Sequence, residues 1–238
     1  MSTSAPRVLA VDIGGTNVKI LATGQDERRR FPSGKELTPQ KMVRGVQDLA
    51  SDWEYDVVSI GYPGRVAGGR PITEPGNLAP GWVGFDYAAA FERPVKIIND
   101  AAMQALGSYN GGTMLFLGLG TGLGSTLIVR GHIVPMELGA LPWEKGTIED
   151  RMGLRGLRKY GKKRWRRFLG VLVKRFSTAL LLDDFVIGGG NAKKVEQPPA
   201  GSRLGSNANA FIGGFRLWDD EHAGTRAPEP AHGAKELA

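Results

Sequence analysis

Val11-Asp12-Ile13-Gly14-Gly15-Thr16-Asn17-Val18-Lys19-Ile20 is an apolar run, a glycine-threonine turn and a second apolar run. It reads as two strands, Val8–Ile13 and 18–22, joined by a hairpin. The same pattern returns in Gly118-Leu119-Gly120-Thr121-Gly122-Leu123-Gly124-Ser125-Thr126-Leu127, between strands at 114–119 and 125–129. Two such hairpins imply two related lobes facing each other. Around them strands and helices alternate. A helix is expected at 39–53, with Met42, Val46 and Leu49 on one face, then a strand at 57–60 running into Gly61-Tyr62-Pro63-Gly64. A Pro/Gly-rich loop (65–84), a short helix (85–91), a strand (95–98) and a helix (101–109) follow. A strand at 185–187 enters Gly188-Gly189-Gly190, and a last helix is expected at 207–218. This alternation predicts an α/β fold.

Composition narrows the class. The chain has 238 residues, 41% hydrophobic and 23% charged, as expected of a globular protein with a sizeable core. No apolar run reaches the ~20 residues a bilayer span needs, and the polar start meets a strand at once, so no membrane partner and no secretory signal are expected. Cysteine is absent, which excludes disulfides, thiolate chemistry and cysteine-bound zinc. Glycine, at 35 residues, is about double its usual ~7% share, which points to sharp turns and close ligand approach.

The net charge of +7 is local in origin. Residues 151–176 hold eleven Lys or Arg and no acid; without them the remaining basic residues are outnumbered by the 24 acidic ones. Thr147 and Asp150 form a capping-box pattern ahead of this stretch. Trp165, Phe168, Leu169, Leu172, Val173 and Phe176 then make one apolar helical stripe opposite the basic face. The basic face suits a polyanion, or is simply solvated.

A Gly/Thr hairpin exposes several backbone N–H groups to phosphate oxygens. Neither hairpin is a Walker A loop, because the Lys-Ser/Thr ending is missing. Neither is a dinucleotide fingerprint, because a strand follows each turn where that motif needs a helix. Gly14, Gly15 and Thr16, Gly120, Thr121 and Gly122, and Gly188, Gly189 and Gly190 are the candidate phosphate contacts. Asp12 is placed to hold Mg²⁺ through water or to cap the turn. Lys19 either reaches the phosphates or stands in solvent. Asp100 ends a strand at the edge where open α/β sheets place ligands. It suits a general base for phosphoryl transfer, and also an N-cap for the helix behind it.

The set 12–19, 61–66, 98–101, 118–124, 136–139 and 187–190, in this order and spacing, resembles the ROK family of sugar kinases over about residues 7–218. The most similar branch is the polyphosphate/ATP glucokinases. The resemblance implies an actin-like ATPase (ribonuclease H-like) fold with two lobes around a cleft, 1–105 and 106–218; residues 219–238 lack periodicity and are expected to be a disordered tail. It implies Asp100 as catalytic base, with Asn77, Asn99, Asp100 and Glu137 contacting a hexose. The glycine loops would hold polyphosphate or ATP with Mg²⁺, and the 6-hydroxyl of glucose or a similar hexose would be phosphorylated. A cytoplasmic homodimer that does not bind DNA is expected. One departure stands out: Ala140 occupies the place of the family's sugar-contacting His, which also leaves open a catalytically weak sugar- or phosphate-binding relative.

Overall fold

The computed structural model describes residues 5–206 and 208–219, in two compact units. One holds the chain through Asp100 and the segment from Leu217; the other holds Ala101–Arg216.

Unit one is built on β1 (Val8–Ile13), whose six residues are all buried, and β2 (Asn17–Ala22), which alternates half-buried and buried. β3 (Arg29–Pro32) extends this meander antiparallel to β2. α1 (Pro39–Leu49) starts where the Thr38 hydroxyl accepts from the Lys41 N–H, and it buries Met42, Val43 and Val46. β4 (Val57–Tyr62) is again fully buried and pairs parallel to β1. A two-residue ribbon, β5 (Val66–Ala67) and β6 (Arg70–Pro71), then α2 (Tyr87–Phe91), lead to β7 (Val95–Asn99), parallel to β4. The sheet order is β3-β2-β1-β4-β7. Trp218 returns to this unit: its indole N–H donates to Ser59 Oγ at 2.9 Å. Lys96 Nζ lies 4.3 Å from the Trp218 ring centroid and donates to the Leu217 carbonyl at 2.6 Å. Burial pulls the Lys96 ammonium down from its ordinary value.

Unit two begins with α3 (Asp100–Ser108, its first residue belonging to unit one) and repeats the same plan. β8 (Thr113–Leu119), β9 (Leu123–Val129) and β10 (His132–Met136) form the meander. After α4 (Ile148–Met152) and α5 (Leu154–Leu180), β11 (Asp184–Gly188) pairs parallel to β8, and β12 (Arg203–Leu204) parallel to β11. The order β10-β9-β8-β11-β12 matches unit one strand for strand: third, second, first, fourth, fifth. The relatedness expected from the two hairpins is therefore present in topology. α6 (Asn209–Arg216) crosses α3 so closely that a Cβ on Gly213 would overlap the Met103 carbonyl.

Two expectations are corrected. Residues 151–176 are not one helix. The capping box at Thr147 and Asp150 is present, but it opens the short α4, which stops at Met152. α5 is itself broken at Gly161, whose φ of 72° and ψ of 162° are non-helical. The apolar stripe beyond the break behaves as read: Trp165, Leu169, Leu172, Val173 and Phe176 are buried, each contributing roughly 1.5–3 kcal/mol. Phe168, at the stripe's margin, is half-buried. The helix expected at 207–218 spans Asn209–Arg216, and Asn207 lies outside the described residues. So does the expected tail beyond Asp219. Among the described residues no helix is long and apolar enough to cross a membrane.

Candidate functional site

In unit one, β1, β4 and β7 run parallel and end side by side. Asp12 is level with Gly61, Gly61 with Ile98, and Tyr62 with Asn99. At ~4.8 Å per strand, Asp12 and the Asn99-Asp100 pair stand about 10 Å apart on one sheet edge. The turn after β1 is tied internally: the Gly14 N–H donates to the Asn17 carbonyl at 3.0 Å. Ser33 holds it from β3's side, donating from Oγ to the Gly14 carbonyl (2.6 Å) and from its N–H to the Thr16 carbonyl (3.0 Å). Gly15 and Thr16 are left exposed at the tip. Asn77 reaches this tip, its Nδ2 lying 3.8 Å from where a Cβ on Gly15 would be.

Asp12 is buried at 6% exposure, and its Oδ2 accepts from Lys19 Nζ at 2.8 Å. The two face each other across the hairpin register, so the structure joins two residues that the sequence had suggested for separate tasks. Asn99 donates from Nδ2 to the carbonyls of Gly64 (3.0 Å) and Tyr62 (3.5 Å), which fixes the loop after β4. Asp100, half-buried, is the first residue of α3, where the helix dipole favours an acid.

Glu74 was not singled out from the sequence, yet it organises Asn77's loop. Its carboxylate accepts from the N–H groups of Gly81, Trp82 and Val83, each at 3.1 Å. Trp82 is fully buried and donates from its indole to the Ala79 carbonyl at 2.6 Å. The Tyr62 hydroxyl anchors the other end, donating to the Thr73 carbonyl at 2.8 Å. Burial pushes the Tyr62 and Tyr87 phenols well up, so both remain hydrogen-bond donors rather than anions.

In unit two, the second hairpin and the triple glycine come together. Gly118 is level with Gly188 across β8 and β11. Asn191 clamps the two loops, donating from Nδ2 to the Gly120 carbonyl (2.9 Å) and from its N–H to the Leu119 carbonyl (2.8 Å). Within the hairpin, the Gly120 N–H donates to the Gly122 carbonyl at 3.1 Å, and the Thr121 carbonyl accepts from the Leu154 N–H at 3.0 Å. Glu149, on α4, is a second residue that sequence reasoning missed. Its Oε2 accepts from the Leu123 N–H at 3.0 Å and lies 2.6 Å from where a Gly122 Cβ would be. The capping box around it was visible, but nothing local signalled that α4 docks on the hairpin.

Glu137 is exposed and opens a single 3₁₀ turn, Leu138–Ala140. Ser125 Oγ pins that turn, accepting from the Leu138 N–H (3.0 Å) and donating to the Met136 carbonyl (2.8 Å). Gly139 packs against Glu149: a Cβ there would come 3.4 Å from Oε2. Ala140 is exposed at the end of the turn. Glu137, Glu149 and both glycine loops thus share one region of unit two. Among the described residues no group of three or more His, Cys, Asp or Glu could hold a metal ion.

The model of the ROK family matches residues 8–140. The polyphosphate glucokinase of Mycobacterium leprae (strain TN) is 25% identical over 218 residues, covering 82% of this chain and 67% of that relative. The solved inorganic polyphosphate/ATP-glucomannokinase from Arthrobacter sp. strain KM superimposes with a TM-score of 0.75 at 24% identity, over 89% of this chain and 97% of the other. The ROK family glucokinase from Streptomyces griseus, solved with glucose and AMPPNP, gives a TM-score of 0.73 at 16% identity over 89% and 99%.

Proposed function

This chain belongs to the ROK family and has its actin-like ATPase fold, and from that premise we propose that it is a hexose kinase, transferring a phosphoryl group from polyphosphate, ATP or both to the 6-hydroxyl of glucose or a similar hexose. The observation that carries this reading is the common edge of unit one, where Gly14–Thr16, Asn77, Asn99 and Asp100 gather at the ends of adjacent strands and their loops. A phosphate cradle beside a carboxylate is what transfer to an alcohol needs.

In this mechanism Asp100 takes the proton of the 6-hydroxyl as its oxygen attacks the terminal phosphorus. The bond from that phosphorus to the donor's bridging oxygen breaks, and the electron pair leaves with the shortened donor. In unit one Asn77 and Asn99 hold sugar hydroxyls; in unit two Glu137 is the residue suited to contact a sugar, with Glu149 in the same region. Backbone N–H groups of Gly14–Thr16, Gly120–Gly122 and Gly188–Gly190 bind phosphate oxygens. Lys19 and Asp12 pair beside the first loop, Asp12 through Oδ2. The other oxygen of that carboxylate would hold Mg²⁺ whose remaining ligands are phosphate oxygens and water. When bound, the ion would offset charge on the phosphates.

The relatives named for polyphosphate support that donor, as does the basic stretch 151–176. Ala140 favours one competing reading, a sugar- or phosphate-binding protein with little turnover. A coupled assay of several hexoses against ATP and polyphosphate, run alongside calorimetry with the same sugars, separates the two. Turnover with any pair supports the kinase; sugar binding without turnover on any donor refutes it.

A further inference from the structure

Trp143, Tyr160 and Phe168 form an aromatic cluster within unit two. Phe168 meets Trp143 edge-on at 5.7 Å between centroids, and Tyr160 at 5.2 Å. Three guanidiniums surround it. Arg151 lies 5.6 Å from the Trp143 centroid and 5.4 Å from that of Phe168. Arg164 lies 5.3 Å from Tyr160 and 5.5 Å from Phe168, and Arg175 lies 5.2 Å from Trp143. Arg164, Phe168 and Arg175 share a face of α5 by helical spacing, whereas Arg151 comes from α4.

Among the described residues, one carboxylate answers this charge. Glu144, itself exposed, pairs with Arg151 at 2.5 Å. Among the described residues neither Arg164 nor Arg175 has a salt-bridge partner. Arg151 is buried, and its Nε–H finds no acceptor. Arg164 and Arg175 are exposed beside the rings, which leaves their N–H donors open to oxyanions, whereas Arg151 is buried and donates to Glu144 and the Trp143 carbonyl. The cluster therefore carries positive charge in excess.

Its place in the fold says which anion. α4 carries Glu149 against the second hairpin, and the Leu154 N–H at the head of α5 holds the Thr121 carbonyl. The five residues of α4 span only about 7.5 Å at 1.5 Å per residue. A phosphate chain held at Gly120–Gly122 reaches past that length with a few more units. In ATP, adenosine follows the third phosphate and takes that place instead. We propose that Arg164 and Arg175, set on the aromatic cluster that Arg151 shares, bind the distal phosphoryl groups of a polyphosphate chain and thereby favour it over ATP. This rests on the kinase reading above and assigns its donor selectivity to named residues.

The test compares the wild-type chain with two double variants that remove equal charge from α5. Arg164→Gln/Arg175→Gln strips the pair set over the rings; Lys162→Gln/Lys174→Gln strips a pair that makes no ring contact among the described residues. All four side chains are exposed, so the fold is retained; Arg151 is left intact because its burial would turn its loss into a packing defect. The readouts are KM for long-chain polyphosphate and for ATP at saturating hexose, and calorimetric binding of long-chain inorganic polyphosphate without sugar. Loss of charge-assisted hydrogen bonds should raise the polyphosphate-to-ATP KM ratio and the long-chain polyphosphate Kd about tenfold in the arginine pair, and under about threefold in the lysine pair. Equal changes in both variants would reduce the cluster to general positive charge and overturn the proposal. If the wild type phosphorylates no hexose, the kinase reading fails, and calorimetry still decides the site: unequal loss of polyphosphate binding upholds it, equal loss removes it. A single-stranded oligonucleotide whose binding is lost in the arginine pair, with polyphosphate binding unchanged, would reassign the cluster to nucleic acid and overturn the proposal.

Discussion

Gly189 and Gly190 are neighbours in the triple glycine, yet replacing each by alanine should act in opposite directions. Gly189 has φ of +82°, and a Cβ there would lie 2.7 Å from both the N and O of Leu119, backbone atoms that cannot rotate away. The left-handed conformation costs about 1–2 kcal/mol with a side chain, and forced overpacking about 1–3 more. Together Gly189→Ala should lose roughly 2–5 kcal/mol, or a Tm drop of roughly 5–15 °C for a chain of this size. Gly190 has ordinary φ and nothing within 4 Å of an added Cβ. Gly190→Ala should be neutral or stabilising by about 0.4–1 kcal/mol, through lower entropy of the unfolded chain. Urea unfolding followed by far-UV dichroism measures both, with donor KM as a second readout, because Leu119 leads directly into Gly120. In that readout Gly189→Ala should raise KM for the donor even at temperatures where it is folded. Equal stability of the two variants would refute the claim that this loop is wedged against β8.

Asp100→Asn keeps size and hydrogen bonding but cannot take a proton; it should abolish phosphorylation, by about 10²-fold or more, while calorimetric sugar binding persists. Near-normal turnover would remove Asp100 as the base. Ala140→His should tighten hexose binding by the ~0.5–1.5 kcal/mol of one hydrogen bond, and an unchanged KM would count against placing the sugar at the Glu137 turn. The Asp52 and Asp56 carboxyls are held at about 2, below their ordinary 3.8, first by side-chain hydrogen bonds from Arg29 and Arg7 respectively. Lowered values mean stabilisation present above about 3.8 and lost as pH falls towards about 2. The stability gap between wild type and Asp52→Asn/Asp56→Asn should therefore exist near neutral pH, close over that window, and shrink in high salt because both pairs are exposed. A gap independent of pH would contradict it.

What could be read from the chain divides by where the information resides. β1, β4, β8 and β11 are central strands, and burial on both faces writes them as continuous apolar runs. β3 is Arg-Arg-Phe-Pro, with no buried residue, and β10 is His-Ile-Val-Pro-Met, short and interrupted by Pro135; both are edge strands without a clean strand pattern, and both were missed. The break at Gly161 was hidden because the apolar spacing beyond it is regular and one glycine costs a helix only about 1 kcal/mol. The glycine loops and Asp100 were legible because their chemistry is local. Glu149 and Asn191 were not, since each acts on backbone distant in sequence, and Glu74 was not, since its loop closes on it through an irregular backbone that no periodicity signals.

The seat of Trp218 has a consequence for how the molecule is made. Synthesis runs from the N-terminus, and domains tend to fold as they emerge. The indole that bonds Ser59 in β4 leaves the ribosome only after every residue of unit two, α6 included. The first sheet to be translated must therefore wait, unlatched, for the last described tryptophan. A premature stop just before residue 218 leaves every residue of unit two in place and instead unlatches the oldest part of the nascent protein.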